Sequence, residues 1–268
     1  PELPEVETLV STLRPLLKGR SILSAKLRWQ KSLAVPKPSR FIRRVPGQQV
    51  VEVYRRGKFF LLHLSDDYLL IHLRMSGDLQ VLPGSPAPGK HDRLLLHLSD
   101  DTTFVFSDPR KFGRIWLVAD PDEILINLGP EPLSEDFTPA WLFRELQQRR
   151  RQLKPLLLDQ RFIAGLGNIY TDEALHRAKL HPLTLSASLT ESQANVLWQA
   201  IRQTLQEGIR RNGSSIDWVY RGGDFQNQFA VYGRQGQECP ACGTAVQRIL
   251  VGQRGTHFCP SCQKIQYN

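Results

Sequence analysis

The sequence predicts an α+β multidomain chain: a helix packed on a β-rich lobe, then a helical module, then a metal-binding β-ribbon. Three observations carry that prediction. An apolar stripe of helical period runs through residues 4–17, and short β-type runs separated by turn-rich pieces fill residues 21–118. All four cysteines fall in the last thirty residues, as two Cys-x-x-Cys pairs. A chain of 268 residues has room for one large domain or two to three small ones. The pattern changes set the predicted boundaries at 1–127, 128–213, 214–238 and 239–268.

The first helix is predicted from Pro4 to Leu17. Val6, Leu9, Val10, Leu13, Leu16 and Leu17 keep the helical period, Pro4 suits the first turn and Gly19 the stop. Glu5 falls off the stripe, toward the polar side shared by Thr8 and Thr12, in the first turn where the helix dipole favours a carboxylate. Ahead of it stands Pro1. An N-terminal proline carries a secondary amine outside any peptide bond, and α-amino groups titrate near pH 8, so a useful fraction is nucleophilic. With Glu2 and Glu5 close in sequence, this is material for Schiff-base chemistry. Trimming of an ordinary Met-Pro start leaves the same residues, so the rest of the chain has to decide.

Strand-type runs follow at Gln49–Tyr54, Lys58–Leu64, Tyr68–Leu73, Arg93–Leu98, Thr103–Phe106 and Arg114–Val118. Turn-rich pieces such as 83–89 and 99–101 separate them, the spacing of a sandwich or barrel. From about Leu128 to Asn212 the chain reads as helical. Thr138-Pro139 is a cap followed by proline at the first helical position, Lys154-Pro155 opens another turn, and Ala194, Leu197, Ile201 and Leu205 mark the core face of a longer helix. Gly165-Leu-Gly-Asn168 interrupts the region, with Asn168 placed to cap the next helix. A helix N-terminus behind glycines can cradle a phosphate, although such a turn is commonly only a turn. Residues 214–228 have low periodicity and read as a mobile loop, either a surface linker or a substrate lid.

Cys239-Pro-Ala-Cys242 and Cys259-Pro-Ser-Cys262, sixteen residues apart, have the spacing of a tetrahedral structural zinc site. Thiolates at all four positions leave none for a catalytic water, so one Zn2+ would fold the tail rather than act on substrate. A two-stranded ribbon between the knuckles would put Arg254 at its tip, ready to meet a phosphate. The net charge of +9 and pI near 9.6 favour a polyanionic partner, nucleic acid first. No apolar run is long enough for a membrane span and no signal pattern opens the chain, so the expected location is cytoplasmic, with no membrane partner.

Six motifs in order resemble those of the bacterial formamidopyrimidine-DNA glycosylases. They are Pro1-Glu-Leu-Pro-Glu-Val-Glu-Thr8, Arg55-Arg-Gly-Lys58, His72-Leu-Arg-Met75, Asp108-Pro-Arg-Lys-Phe112, Gly165-Leu-Gly-Asn-Ile-Tyr170 and Arg254-Gly-Thr-His-Phe-Cys259. The resemblance runs from end to end. It implies an N-terminal β-sandwich lobe, a helix–two-turns–helix module and a zinc finger, with double-stranded damaged DNA bound in a cleft between lobes. It also implies a bacterial, nucleoid-associated repair enzyme that excises oxidised purines. Pro1 would attack the sugar C1′, Glu2 would serve as acid and base at the sugar ring oxygen, and Glu5 would position groups and move protons near the amine. Lys58 would hold a phosphate beside the lesion.

By the same resemblance Met75, the chain's single methionine, and Arg110 and Phe112 would fill the void left by an extruded base. Read without it, Met75 and Phe112 are core residues and Arg110 is a surface charge. His72, His91, Asn168, Tyr232 and Arg254 match phosphate contacts, and Lys154 a site close to the lesion. The resemblance is loosest in the 214–228 loop, where Asp217-Trp218 stands in place of a basic residue and Thr-Tyr. Three alternatives compete. An endonuclease VIII type would prefer oxidised pyrimidines, a proline-first tautomerase would be far shorter and lack the ribbon, and an inert DNA binder would have lost Pro1, Glu2 or Lys58. Nothing in the sequence demands an oligomer, and a monomer is expected.

Overall fold

A computed structural model describes residues 1–215 and 222–265. The chain forms two compact units, one from Pro1, Leu3–Ile126 and Ser214–Gly223, the other from Glu2, Asn127–Gly213 and Asp224–Asn268.

The first unit opens with α1 (Leu3–Leu17), which buries Leu3, Val6, Leu9, Val10, Leu13 and Leu17. Two residues depart from the predicted stripe. Leu16, in the last turn of the helix, is 44 % exposed, whereas Glu5 is buried, its carboxylate accepting the Ser214 N–H at 2.7 Å. A buried carboxylate is tolerated when it is hydrogen-bonded, which the sequence pattern alone does not reveal. The chain continues through β1 (Ile22–Leu27), β2 (Leu33–Val35), α2 (Pro38–Arg44), β3 (Val50–Arg56), β4 (Phe59–Leu64), β5 (Tyr68–His72), β6 (Asp78–Pro83), β7 (Asp92–Leu98), β8 (Thr102–Ser107), β9 (Arg114–Val118) and the short α3 (Asp122–Leu125).

These strands make a four-stranded sheet in the order β1-β7-β8-β6 and a five-stranded sheet in the order β2-β9-β5-β4-β3. Only β2 and β9 run parallel; the other described pairings within both sheets are antiparallel. The two sheets share one core with α1. Phe60 and Leu62 of β4, Ile71 of β5, Leu94 and Leu96 of β7 and Phe104 and Phe106 of β8 all lie in it. Phe60 and Phe104 stack across the sandwich with centroids 6.1 Å apart. Each such fully buried side chain contributes about 1.5–3 kcal/mol relative to exposure. The Arg55–Glu7 ion pair, at 2.8 Å, ties α1 to β3.

The second unit is built on α4 (Pro139–Gln147), α5 (Leu153–Leu158), α6 (Asn168–Arg177) and α7 (Glu191–Arg210), followed by the ribbon β10 (Gln247–Val251) and β11 (Arg254–Phe258). Thr138 caps α4 by accepting the Trp141 N–H at 3.1 Å, and Thr190 with Gln193 closes a capping box on α7. Ala194, Leu197, Ile201 and Leu205 are buried along α7, which packs on α6 and α4. Asn212 and Gly213, both at positive φ, end the helix. Part of the predicted mobile loop is ordered: Phe225–Gln228 forms a 3-10 turn, with Phe225 buried and stacked on Tyr170 at 5.1 Å. The Asp217-Trp218 departure lies outside the described residues.

Candidate active site and nucleic-acid-binding residues

In the first unit, Lys58 is half-buried just after the positive-φ Gly57 that turns β3 into β4. His72, at the end of β5, lies edge-on to Phe59 with centroids 4.9 Å apart. Burial pushes the His72 pKa down to about 3, and the nearby charges of Arg74, Lys58 and the Pro1 nitrogen push the same way. His72 is therefore a neutral imidazole close to the Pro1 nitrogen and the Lys58 ammonium. His72 Nδ1 accepts the Arg74 N–H at 3.1 Å, which leaves the proton on Nε2 as a donor.

The three stack-filling candidates are surface residues. Met75 is 49 % and Phe112 53 % exposed, which rules out their reading as core. Arg110 is exposed, its guanidinium 5.0 Å from the Phe112 ring centre. The exposed His91 contributes its carbonyl to the Asp108 N–H at 2.9 Å.

In the second unit, the glycine turn before α6 holds an anion, but the anion is the protein's own. The Glu2 carboxylate accepts N–H groups from Gly167 (2.7 Å), Ile169 (2.9 Å) and Tyr170 (3.3 Å). Both the free amides of a first helical turn and its dipole favour a carboxylate there. Gly167 has to be glycine for this approach, since a Cβ would stand 2.4 Å from the Glu2 carboxyl carbon. Asn168 does not cap α6 as predicted. Gly167 takes that position, and Asn168 Nδ2 instead donates to the Gly255 carbonyl at 3.0 Å, tying the helix to the ribbon.

Lys154 also departs from expectation. It is fully buried and paired with the equally buried Asp172, where an exposed cation was the simpler expectation. Burial pulls the Lys154 pKa down, opposed by the charges of Asp172 and Glu2 and reinforced by Arg254. The other Asp172 oxygen accepts the His257 N–H at 2.9 Å. The neighbouring Glu173 accepts backbone N–H groups from Ala230 (2.8 Å), Val231 (3.0 Å) and Tyr232 (2.8 Å), while burial pushes its pKa up. The Tyr232 ring packs edge-on to His257 at 5.2 Å. Arg254 is exposed at the start of β11, opposite Val251, at the tip of the ribbon. Asp172 and Glu173 have no sequence signal beyond two adjacent carboxylates in the middle of a helix.

Cys239, Cys242, Cys259 and Cys262 bring their sulfurs within 4.8 Å of one another. The Cys239–Cys262 and Cys242–Cys259 separations are 3.9 and 3.5 Å, close to the roughly 3.8 Å edge of a tetrahedron with 2.3 Å zinc–sulfur bonds. Burial and the neighbouring thiols push Cys262 up to about 12, whereas hydrogen bonds from Thr244 pull Cys242 down to about 6. Four thiolates this close need a dication to offset their repulsion, and the set fits one structural zinc. His176, which sequence reasoning missed, places Nε2 3.2 Å from the Cys239 sulfur, as an outer-sphere partner of a ligand does.

The chain thus combines a β-sandwich with an N-terminal helix, a helical module and a ribbon fit for one structural zinc. Three family models match the chain in order: the formamidopyrimidine-DNA glycosylase N-terminal domain over residues 1–115, its H2TH domain over 128–219, and a zinc finger found in FPG and IleRS over 236–265. The formamidopyrimidine-DNA glycosylase of Chloroflexus aurantiacus is 46% identical over 98% of this chain and 97% of its own length. That of Bacillus subtilis is 41% identical over 98% and 99%. The Lactococcus lactis Fpg bound to DNA with an abasic site superposes with a TM-score of 0.93 at 35% identity, covering 98% of this chain and all of that one. The chain belongs to the formamidopyrimidine-DNA glycosylase family.

Proposed function

We propose that the chain is a base-excision-repair glycosylase that removes oxidised purines from double-stranded DNA and then cuts the strand at the same site. The substrates are 8-oxoguanine opposite cytosine and ring-opened formamidopyrimidines. Family membership supports this, as does similarity to Lactococcus lactis Fpg solved with an N7-benzyl-Fapy-dG DNA and to MutM solved with carbocyclic 8-oxo-G DNA. The observation that carries the reading is the Pro1–Glu2 dipeptide. A carboxylate fixed by the amides of α6 sits one residue from a nitrogen that can act as nucleophile.

The damaged nucleotide first leaves the stack, at a cost of a few kcal/mol that damage lowers. A free Pro1 nitrogen then attacks C1′; the bond from C1′ to the base breaks, and the base departs with the electron pair. Glu2 delivers a proton to the sugar ring oxygen as the ring opens to an iminium. Because proline is a secondary amine, this iminium has no N–H proton to lose and stays cationic. It acidifies the C2′ hydrogen, whose removal expels the 3′ phosphate. A second elimination expels the 5′ phosphate, and hydrolysis frees the amine. Glu5 moves protons near that amine. Lys58 and the neutral Nε2–H of His72 hold backbone phosphates, joined by His91, Asn168, Tyr232 and Arg254. Met75, Arg110 and Phe112 occupy the emptied stack. Lys154 acts through Asp172 as a positioning residue.

Zinc holds the ribbon that carries Arg254 and takes no part in the chemistry. The domain boundaries at 127, 213 and 238 separate the catalytic lobe, the helical module, the loop and the finger. The enzyme works as a monomer. No helix among the described residues is long and apolar enough to cross a membrane, and a chromosomal substrate puts its work in the bacterial cytoplasm. Excision rates over matched duplexes with oxidised purines and oxidised pyrimidines test the reading. Preference for 8-oxoguanine and formamidopyrimidines supports it; preference for oxidised pyrimidines replaces it with the endonuclease VIII type.

A further inference from the structure

We propose that Ser76 and Asp108 are positioning residues that lock the Met75 turn and the Arg110–Phe112 loop into one rigid wedge, so that the stack-filling side chains enter DNA as a unit. The inference rests on the void-filling reading of those three residues and adds to it the device that holds them together.

Ser76 and Asp108 are both buried, at 4% and 1% exposure, beneath three exposed neighbours. The Ser76 hydroxyl donates to Asp108 Oδ1 at 2.5 Å and accepts the Arg110 N–H at 3.2 Å. Asp108 Oδ2 accepts the Gly113 N–H at 2.7 Å. The Asp108 carbonyl takes the Arg93 Nε–H at 2.8 Å and the Lys111 N–H at 3.3 Å, and its own N–H goes to His91. One residue thus uses its carboxylate, its carbonyl and its amide to pin both ends of a five-residue loop and to join that loop to the neighbouring turn. Arg110 and Phe112 are exposed, while the anchor beneath them is buried.

The backbone shows why an anchor is needed. Lys111, between Arg110 and Phe112, sits at φ 61°, and Arg74, beside Met75, at φ 54°. Non-glycine residues are strained in this region and persist where surrounding contacts over-determine them. Gly113 allows the carboxylate to approach, since a Cβ there would fall 3.0 Å from Asp108 Oδ2 and 2.5 Å from the Phe106 ring. On the outer flank the Lys111 ammonium lies 4.1 Å from the centre of the Trp29 ring, a cation–π contact that holds the strained residue from the other side. A carboxylate that served only the core would have no reason to bind the loop at both ends and the Met75 turn as well.

The rigidity has a function. Filling the void of an extruded nucleotide requires several side chains to enter at fixed spacing while the stack is open. Ordering two independent loops at that moment would draw on binding free energy, which a prebuilt wedge avoids.

The test compares Ser76→Ala, Ser76→Thr, Asp108→Asn, Met75→Ala and Phe112→Ala in two assays. One is single-turnover excision of 8-oxoguanine opposite cytosine in duplex DNA. The other is borohydride trapping on a single-stranded abasic oligonucleotide, which has no opposing stack to fill. Ser76→Ala and Asp108→Asn should lower duplex excision at least tenfold, leave single-stranded trapping within twofold, and blunt the fluorescence rise of a 2-aminopurine placed beside the lesion. Ser76→Thr, which keeps the hydroxyl, should restore duplex excision. If Met75→Ala and Phe112→Ala leave duplex excision unchanged, the void-filling reading falls and the inference with it. If those two lower it while Ser76→Ala matches the wild type, the locking role alone is overturned. Equal losses in both assays for Ser76→Ala would also overturn it, by showing a general folding defect.

Discussion

Replacing Gly167 by alanine displaces the Glu2 carboxylate from the amides that hold it. Gly167 has φ −129° and ψ −160°, an extended conformation that alanine adopts without strain. The added methyl would instead stand 2.4 Å from the Glu2 carboxyl carbon and 2.6 Å from Oε1. The carboxylate must therefore leave the amides of Gly167, Ile169 and Tyr170. A hydrogen bond to a charged group is worth about 1.5–3 kcal/mol, so losing the equivalent of one in the transition state lowers kcat/KM roughly 10- to 150-fold. Single-turnover excision on 8-oxoguanine duplex measures the effect, with thermal midpoint, zinc content and affinity for an abasic-analogue duplex as controls. Full excision activity in a folded Gly167→Ala enzyme would refute the claim that the α6 cradle holds Glu2 for catalysis.

Two further outcomes are expected. Chelation of the metal, or Cys262→Ser, should release about one zinc per chain and unfold the ribbon, since zinc in small fingers supplies about 10–16 kcal/mol of folding free energy. DNA affinity by fluorescence anisotropy should fall more than tenfold, while retained affinity in zinc-free protein would contradict the ribbon's role. His72 gives a pH signature. Its folded pKa is near 3 against an ordinary 6.5, so on acidification the unfolded chain takes the proton first. Stability is then untouched above about pH 6.5 and falls progressively as pH drops toward 3. Urea midpoints of His72→Asn should fall less steeply over that window than those of the wild type, and parallel profiles would count against a neutral, buried imidazole.

The period of α7 was legible because Ala194, Leu197, Ile201 and Leu205 are both apolar and buried. The zinc cluster was legible because ligand spacing is itself the structural constraint. β1 and β6 gave no signal for a physical reason. Only Ile22 is fully buried in β1, and β6 runs from Asp78 to Pro83 with Leu79 alone fully buried, so neither strand alternates cleanly. Leu16 fits the apolar period, yet at the last turn of α1 it has no partner layer to cover it.

The candidate site divides in the same way. The Gly165-Leu-Gly-Asn168 turn was readable as an anion cradle, but not which anion fills it. The occupant is a carboxylate 165 residues away in sequence. The pairing of Lys154 with Asp172 was not readable, because the two lie on different helices and only the fold brings them together. Phe112 and Met75 show the converse. Their types alone suggested core, whereas the fold leaves both about half exposed.

The central claim is that the nitrogen of Pro1 becomes bonded to the sugar. Borohydride reduces an iminium to a stable amine, so it should trap a covalent complex between the enzyme and a duplex carrying 8-oxoguanine opposite cytosine. Tandem mass spectrometry of the trapped peptide should place the adduct on Pro1. Pro1→Gly should reduce trapping severely, and an enzyme acylated at its N-terminus should show none. Undiminished trapping by the acylated enzyme, or an adduct mapped to a lysine such as Lys58, would contradict the account.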